Sequence, residues 1–195
     1  MKHISLLLLL IAGHIAIAQT HLAPDINTNE IPVKPSGISE DDPEYGLWMY
    51  NMMCFAADMK ASSTLSSSGK NTYSVDMMAD DNPNTAWVEG KDDYGIGETI
   101  SLKGVNSEMW IYNGYQKSES SFYSNSRVKA FIVYFDDKKV GHISLEDTPG
   151  GQHYDMSSWF DTHGYPDNIT LEISEVYKGK KWKDTAITEI FFVGG

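Results

Sequence analysis

Between residues 168 and 174 the chain alternates strictly. Ile169, Leu171 and Ile173 are separated by Thr170, Glu172 and Ser174, the period-two pattern of a strand with one buried face. Ile143 and Leu145 alternate with Ser144 and Glu146 in the same way. Residues 128–135 and 185–193 are apolar on both faces, as strands inside a sandwich are. The run Asp136-Asp137-Lys138-Lys139 supplies a hairpin turn between Phe135 and Val140. Helical periodicity of useful length is missing after Asp58. Many short strands separated by turn signals predict an all-β sandwich or barrel, and no internal repeat is visible.

The N-terminus predicts where such a domain works. Met1-Lys2-His3 is a short positive start, residues 4–12 are nearly continuous apolar sequence, and Ala16-Ile17-Ala18 is a small-x-small cleavage site. Residues 1–18 therefore read as a signal peptide with Gln19 at the mature N-terminus. The apolar run is too short to span a bilayer. No cysteine follows the cleavage site to take a lipid anchor, and no second spanning stretch is seen. A secreted chain, extracellular or periplasmic, without membrane insertion is expected.

Residues 19–45 are polar, carry Pro24, Pro32, Pro35 and Pro43 and include Glu40-Asp41-Asp42. They read as a linker or disordered arm before a single domain over 46–195. The apolar run Trp48-Met49-Tyr50-Asn51-Met52-Met53-Cys54-Phe55 suits a short helix or a first strand, and periodicity does not decide between them. The formal net charge is −12, and loss of Lys2 with the leader deepens it by one. That acidity argues against nucleic acid or anionic membrane as the partner, since both demand basic patches. Cys54 is the one cysteine, so no internal disulfide can form. Among Met52, Met53 and Phe55 it reads as a buried small hydrophobe. Rigidity must then come from the core or from a metal.

A metal is what residues 79–87 suggest. Asp80, Asn82 and Thr85 place hard oxygens at close spacing, as a calcium loop needs. Asn82-Pro83-Asn84 bends the chain, and Trp87 is the first core residue after the bend. An ordinary Asx-rich turn before a strand reads the same nine residues equally well.

Read in order, Ala61-Ser62-Ser63-Thr64-Leu65, Asp80 to Gly90 (DDNPNTAWVEG), Gly95-Ile96-Gly97-Glu98, Asn113-Gly114-Tyr115, Asn125-Ser126-Arg127 and the run 176–190 (VYKGKKWKDTAITEI) resemble the discoidin-like, galactose-binding-like domain called the NADase-type glycan-binding domain. That domain also occurs beside a bacterial NAD glycohydrolase. The resemblance covers roughly 58–193. It implies a jelly-roll of about eight strands and a carbohydrate- or surface-binding role, without NAD cleavage in the module. Related modules hold a structural calcium through the Asp of an Asp-Gly-x-x-x-Thr-x-Trp loop, that loop's carbonyls and Thr, and a Glu on the last strand. By motif those positions are Asp80, Asn82, Thr85 and Glu189. Asp81 stands where glycine is usual; if the position needs φ > 0, Asp bears it better than most residues but less well than Gly. Glu189, flanked by Ile187 and Phe191, points where apolar residues point. A carboxylate there must be paired or bind a metal, unless a bulge turns it outward.

Sandwich domains bind through loops at one end, and three loops qualify: 91–98 with Tyr94, 113–127, and 177–184. Sugars present hydroxyls in one plane and C–H faces in another, so a site for them combines flat rings with polar side chains. Tyr94, Tyr115, Tyr123 and Trp182 with Asn113, Asn125 and Arg127 meet that need if the loops converge. Tyr115 and Trp182 read equally as apolar lids over the open end, and Arg127 as a brace of its loop. Lys178, Lys180, Lys181 and Lys183 read as a solvated turn or as a contact for an anionic glycan.

Enzyme signatures are missing. There is no Gly-x-Ser-x-Gly elbow and no His-Glu-x-x-His, and the spacing of His21, His142, His153 and His163 matches no zinc site. His153-Tyr154-Asp155 and residues 159–163 form a polar-aromatic stretch without a nucleophile–base pair. Asn168-Ile169-Thr170 is a formal glycosylation sequon. The expected function is non-catalytic recognition of a glycan or glycosylated surface protein, with structural calcium; a protein–protein module of a cell-envelope assembly is the alternative.

Overall fold

The computed structural model describes residues 53–54, 56–69 and 71–193. The predicted signal peptide, the arm at 19–45, and the side chain of Cys54 lie outside the described residues. The strands are β1 (Met53–Cys54), β2 (Asp58–Ala61), β3 (Trp87–Val88), β4 (Thr99–Lys103), β5 (Glu108–Asn113), β6 (Ser126–Phe135), β7 (Lys138–Ser144), β8 (Gly151–Asp155), β9 (Asn168–Tyr177) and β10 (Thr185–Val193). Of the apolar run before Asp58, Met53–Cys54 form a short strand, and the rest lies outside the described residues.

Strand pairing produces the jelly-roll sandwich. One set runs β2-β4-β9-β6, with β7 also on β6; the other joins β8, β5 and β10, with β1 and β3 also on β10. They meet where β10 runs parallel to β6, pairing Thr185 with Ser126 and Ala186 with Arg127. Every other strand pairing is antiparallel. The alternation at 169–173 does what it predicts: Ile169, Leu171 and Ile173 are fully buried and enter the main core with Ile100, Leu102, Phe131 and Val133. Asp136 (φ 46) and Asp137 (φ 67) make the β6–β7 hairpin, both in the left-handed region that a tight primed turn requires.

Two short helices interrupt the β pattern, α1 (Glu119–Ser124) and α2 (Ser157–His163). Each is under two turns, too short for a 3.6-residue repeat to be visible. The stretch at 159–163 is part of α2 and buries Trp159 and Phe160. Among the described residues, no helix is long and apolar enough to cross a membrane.

Candidate functional site

At one end of the sandwich a cavity of about 470 Å³ opens between α1, the 178–184 loop and the approach to β3. Three rings wall it: Tyr73, Tyr115 and Trp182. Ser120, Ser121, Ser124 and Asn125 contribute polar groups from α1, and Ser68 adds another hydroxyl. Leu65 and Val88 form an apolar patch, while Lys181 and Asp184 bring one charge of each sign. Its size is in the range of small-ligand sites.

Helix α1 forms because Ser118 caps it, its hydroxyl accepting the Ser121 N–H at 3.1 Å. It stops at Asn125, whose amide nitrogen donates to the Ser121 carbonyl at 2.8 Å. Fully buried Phe122 pins the helix inward, directly against Gly114, where an added Cβ would meet the Phe122 ring at 2.8 Å. The lysine-bearing loop is seated on α1 by its backbone. Lys180 N–H donates to the Tyr123 carbonyl at 2.9 Å, and Lys181 and Trp182 N–H both donate to the Ser124 carbonyl at 3.1 and 2.8 Å. Gly179 N–H donates to Ser126 Oγ at 3.0 Å. That approach is so close that a Cβ on Gly179 would lie 2.5 Å from the Ser124 carbonyl oxygen.

The structure separates the seven candidate ligand residues into three groups. Tyr115, Asn125 and Trp182 share the cavity. Tyr94 and Tyr123 flank the lysine loop, their rings beneath Lys178 at 4.9 Å and Lys180 at 4.9 Å. Asn113 and Arg127 lie beneath the surface, 0% and 3% exposed. Asn113 spends its amide on the backbone of β6, donating to the Val128 carbonyl at 2.7 Å and accepting the Val128 N–H at 3.0 Å. Arg127 clamps Asp147 through Nε and Nη2 at 2.7 and 2.9 Å and donates to the Asn125 carbonyl at 2.6 Å. It is a brace of the loop, since a buried guanidinium must have every donor directed at an acceptor.

Several cavity residues had no part in the expected site. Tyr73 lies outside the three expected loops, while the serines of α1 and Asp184 lie inside two of them but were not among the expected ligands. Glu89, outside the cavity, had no part in the expected site either: its carboxylate, fully buried at the end of β3, accepts the Lys91 N–H at 2.7 Å. Burial, then the nearby Asp184 and Asp93, pushes its pKa up. Gly95 (φ 68) rests on its side chain, so Glu89 supports the loop bearing Tyr94. The sequence signal was there, because two-residue alternation puts Glu89 on the Trp87 face.

Next to the cavity stands the 79–86 loop. Asn82 N–H donates to Asp80 Oδ1 at 3.2 Å and Asn84 N–H to Asn82 Oδ1 at 3.0 Å, two Asx turns in succession. The Thr85 hydroxyl faces both Asp80 oxygens at 2.9 and 2.8 Å. Asp81 does adopt φ 53, and its N–H donates to Glu189 Oε1 at 3.1 Å. Glu189 pairs with Tyr112, and Phe191 with Trp110, on the face turned from the main core, whereas Ile187 lies within that core. Glu189 is only 6% exposed. Burial, then the charges of Asp80 and Asp81, raises its pKa from 4.5 to about 7. Tyr115 joins this loop to the cavity, its hydroxyl donating to the Asn84 carbonyl at 3.0 Å. Among the described residues, no three His, Cys, Asp or Glu side chains form a metal-holding group; the oxygens expected here are those of Asp80, Asn82, Thr85 and Glu189.

The jelly-roll sandwich is of the discoidin-like kind. Residues 49–193 match the model of the NAD glycohydrolase translocation F5/8 type C domain, and the chain belongs to that family. Comparison with curated proteins found no match. Among solved structures, the chain is similar to the CBM32-1 and CBM32-2 domains of Clostridium perfringens ZmpB, at 12% identity and TM-score 0.52, covering 77% of this chain and 39% of that one. A larger ZmpB structure with the M60 catalytic domain aligns at 13% identity and TM-score 0.56, covering 91% of this chain and 17% of that one. A fragment of a putative chitobiase from Bacteroides thetaiotaomicron aligns at 13% identity and TM-score 0.50, covering 83% and 94%. This chain thus spans well under half of either ZmpB structure. At such identities the likeness establishes the fold alone.

Proposed function

We propose that the chain is an exported, non-catalytic module that binds carbohydrate, free or on a glycosylated surface protein, in the cavity between α1 and the 178–184 loop. The cavity itself carries this reading: three rings for sugar C–H faces, with hydroxyls and an amide for sugar hydroxyls, in a space sized for one or two rings. The CBM32 domains of the same fold support it. Glycoside hydrolysis ordinarily needs two carboxyl groups flanking the bond, and Asp184 is the one carboxylate among the described lining residues. The leader-like residues 1–18 support export.

Calcium acts in the same reading as a brace at Asp80, Asn82, Thr85 and Glu189. The donor set fits it, because all four supply hard oxygens and Glu189 is a buried carboxylate facing two others. When bound, calcium would supply the positive charge that lets Glu189 ionise. The Tyr115–Asn84 hydrogen bond then links that brace to a cavity wall.

Trp182→Ala tests the site. The ring is 49% exposed, so the variant should melt like the wild type while losing about tenfold or more in affinity for any oligosaccharide the wild type captures on a glycan array. An array that stays blank while pull-down recovers one specific protein would replace the sugar reading by a protein–protein one.

A further inference from the structure

Lysines 178, 180, 181 and 183 crowd into six residues of a chain whose net charge is −12. Among the described residues, none of the four has a carboxylate within ion-pair distance, whereas Lys60, Lys91, Arg127 and Lys129 each do. Aromatic rings hold them instead. Lys178 and Lys183 both lie over Tyr94, at 4.9 and 6.0 Å, Lys180 lies over Tyr123 at 4.9 Å, and Lys181 over Trp182 at 4.7 Å.

A solvated turn lets like charges spread apart, since each ammonium gains most from full hydration. Here two ammoniums converge on one ring, and a third faces the cavity it lines. Their backbone is fixed on α1 by the hydrogen bonds of residues 179–182, so the charges are placed before any ligand arrives. Preplaced charges lose little freedom on binding.

We infer that the cavity takes an acidic glycan, its sugar face held by Tyr115 and Trp182 and its sulfate or carboxylate group by Lys181 at the cavity wall, with Lys178 and Lys183 over Tyr94 extending the positive charge of the same loop. The inference rests on the sugar reading of the cavity and narrows it to one ligand class.

Titration calorimetry of the full chain with three oligosaccharides of matched length, one neutral, one sulfated and one containing a uronic acid, tests it. At low salt the sulfated and uronic forms should bind about tenfold tighter than the neutral one, and this preference should shrink at high salt as exposed charges are screened. In the triple variant Lys178→Gln, Lys181→Gln, Lys183→Gln, the acidic-to-neutral affinity ratio should fall to about one. Equal binding of acidic and neutral forms, or a ratio that the triple variant preserves, would overturn the inference and leave the sugar site standing. Failure of all three to bind would bring down both. Capture by phosphatidylserine vesicles without oligosaccharide binding would also overturn it, in favour of an anionic membrane.

Discussion

Replacing Glu189 by Gln should stabilise this protein at pH 8 when metal is withheld, although it alters a buried polar group on a central strand. The carboxyl group titrates at about 7 in the folded chain against 4.5 ordinarily. Each pH unit of difference corresponds to 1.36 kcal/mol, so ionising Glu189 costs about 3 kcal/mol more folded than unfolded. Because the folded value is the higher one, the favourable contribution is complete below about pH 4.5 and disappears as pH rises through 7. A glutamine there has no charge to bury and can still accept the Asp81 N–H. In chelator at pH 8, urea unfolding should therefore show the variant about 1–3 kcal/mol more stable than wild type, and the difference should vanish at about pH 4. Glu89 is raised in the same direction and contributes to both proteins, so the difference between them isolates Glu189. Adding calcium should stabilise wild type and leave the variant unchanged, since a ligand that binds only the folded state stabilises only a chain able to bind it. A variant that is less stable than wild type at pH 8 in chelator would refute the electrostatic reasoning. A wild type indifferent to calcium would remove the brace.

Two further outcomes follow from backbone geometry. Asp81→Gly relieves the left-handed residue and removes one charge facing Glu189, so it should raise stability by about 0.5–1 kcal/mol in chelator at pH 8, read as a higher urea midpoint. Gly179→Ala forces a Cβ to within 2.5 Å of backbone; it should shift the lysine loop and Trp182, abolishing oligosaccharide binding in calorimetry while the far-ultraviolet circular dichroism stays that of the wild type.

The strands were legible because their signal is local: the alternation at 169–173 and the doubly apolar run 185–193 each state a burial pattern within a few residues. The turns at 80–85 were equally legible, because the hydrogen bonds among Asp80, Asn82, Asn84 and Thr85 span five residues or fewer, whereas the bond from Asp81 to Glu189 crosses 108 residues. What the chain does not state locally is which polar side chains the tertiary structure uses up. Asn113 and Arg127 resemble binding residues in composition, yet one ties the end of β5 to the Val128 backbone of β6 and the other anchors Asp147, partners 15 and 20 residues away. The serines of α1 escaped for the opposite reason. Nothing marks them until the helix and the lysine loop come together.

Strand β10 has a kinetic consequence. It pairs with strands whose residues range from 53 to 127 and carries Glu189. None of these ladders can close on the ribosome until residues 185–193 have emerged from it. Ordering by such remote partners is slow, and until it happens the edges that β10 will cover stay open to misassociation. Newly made chains should therefore depend on chaperone protection during the interval between their first strand and their last.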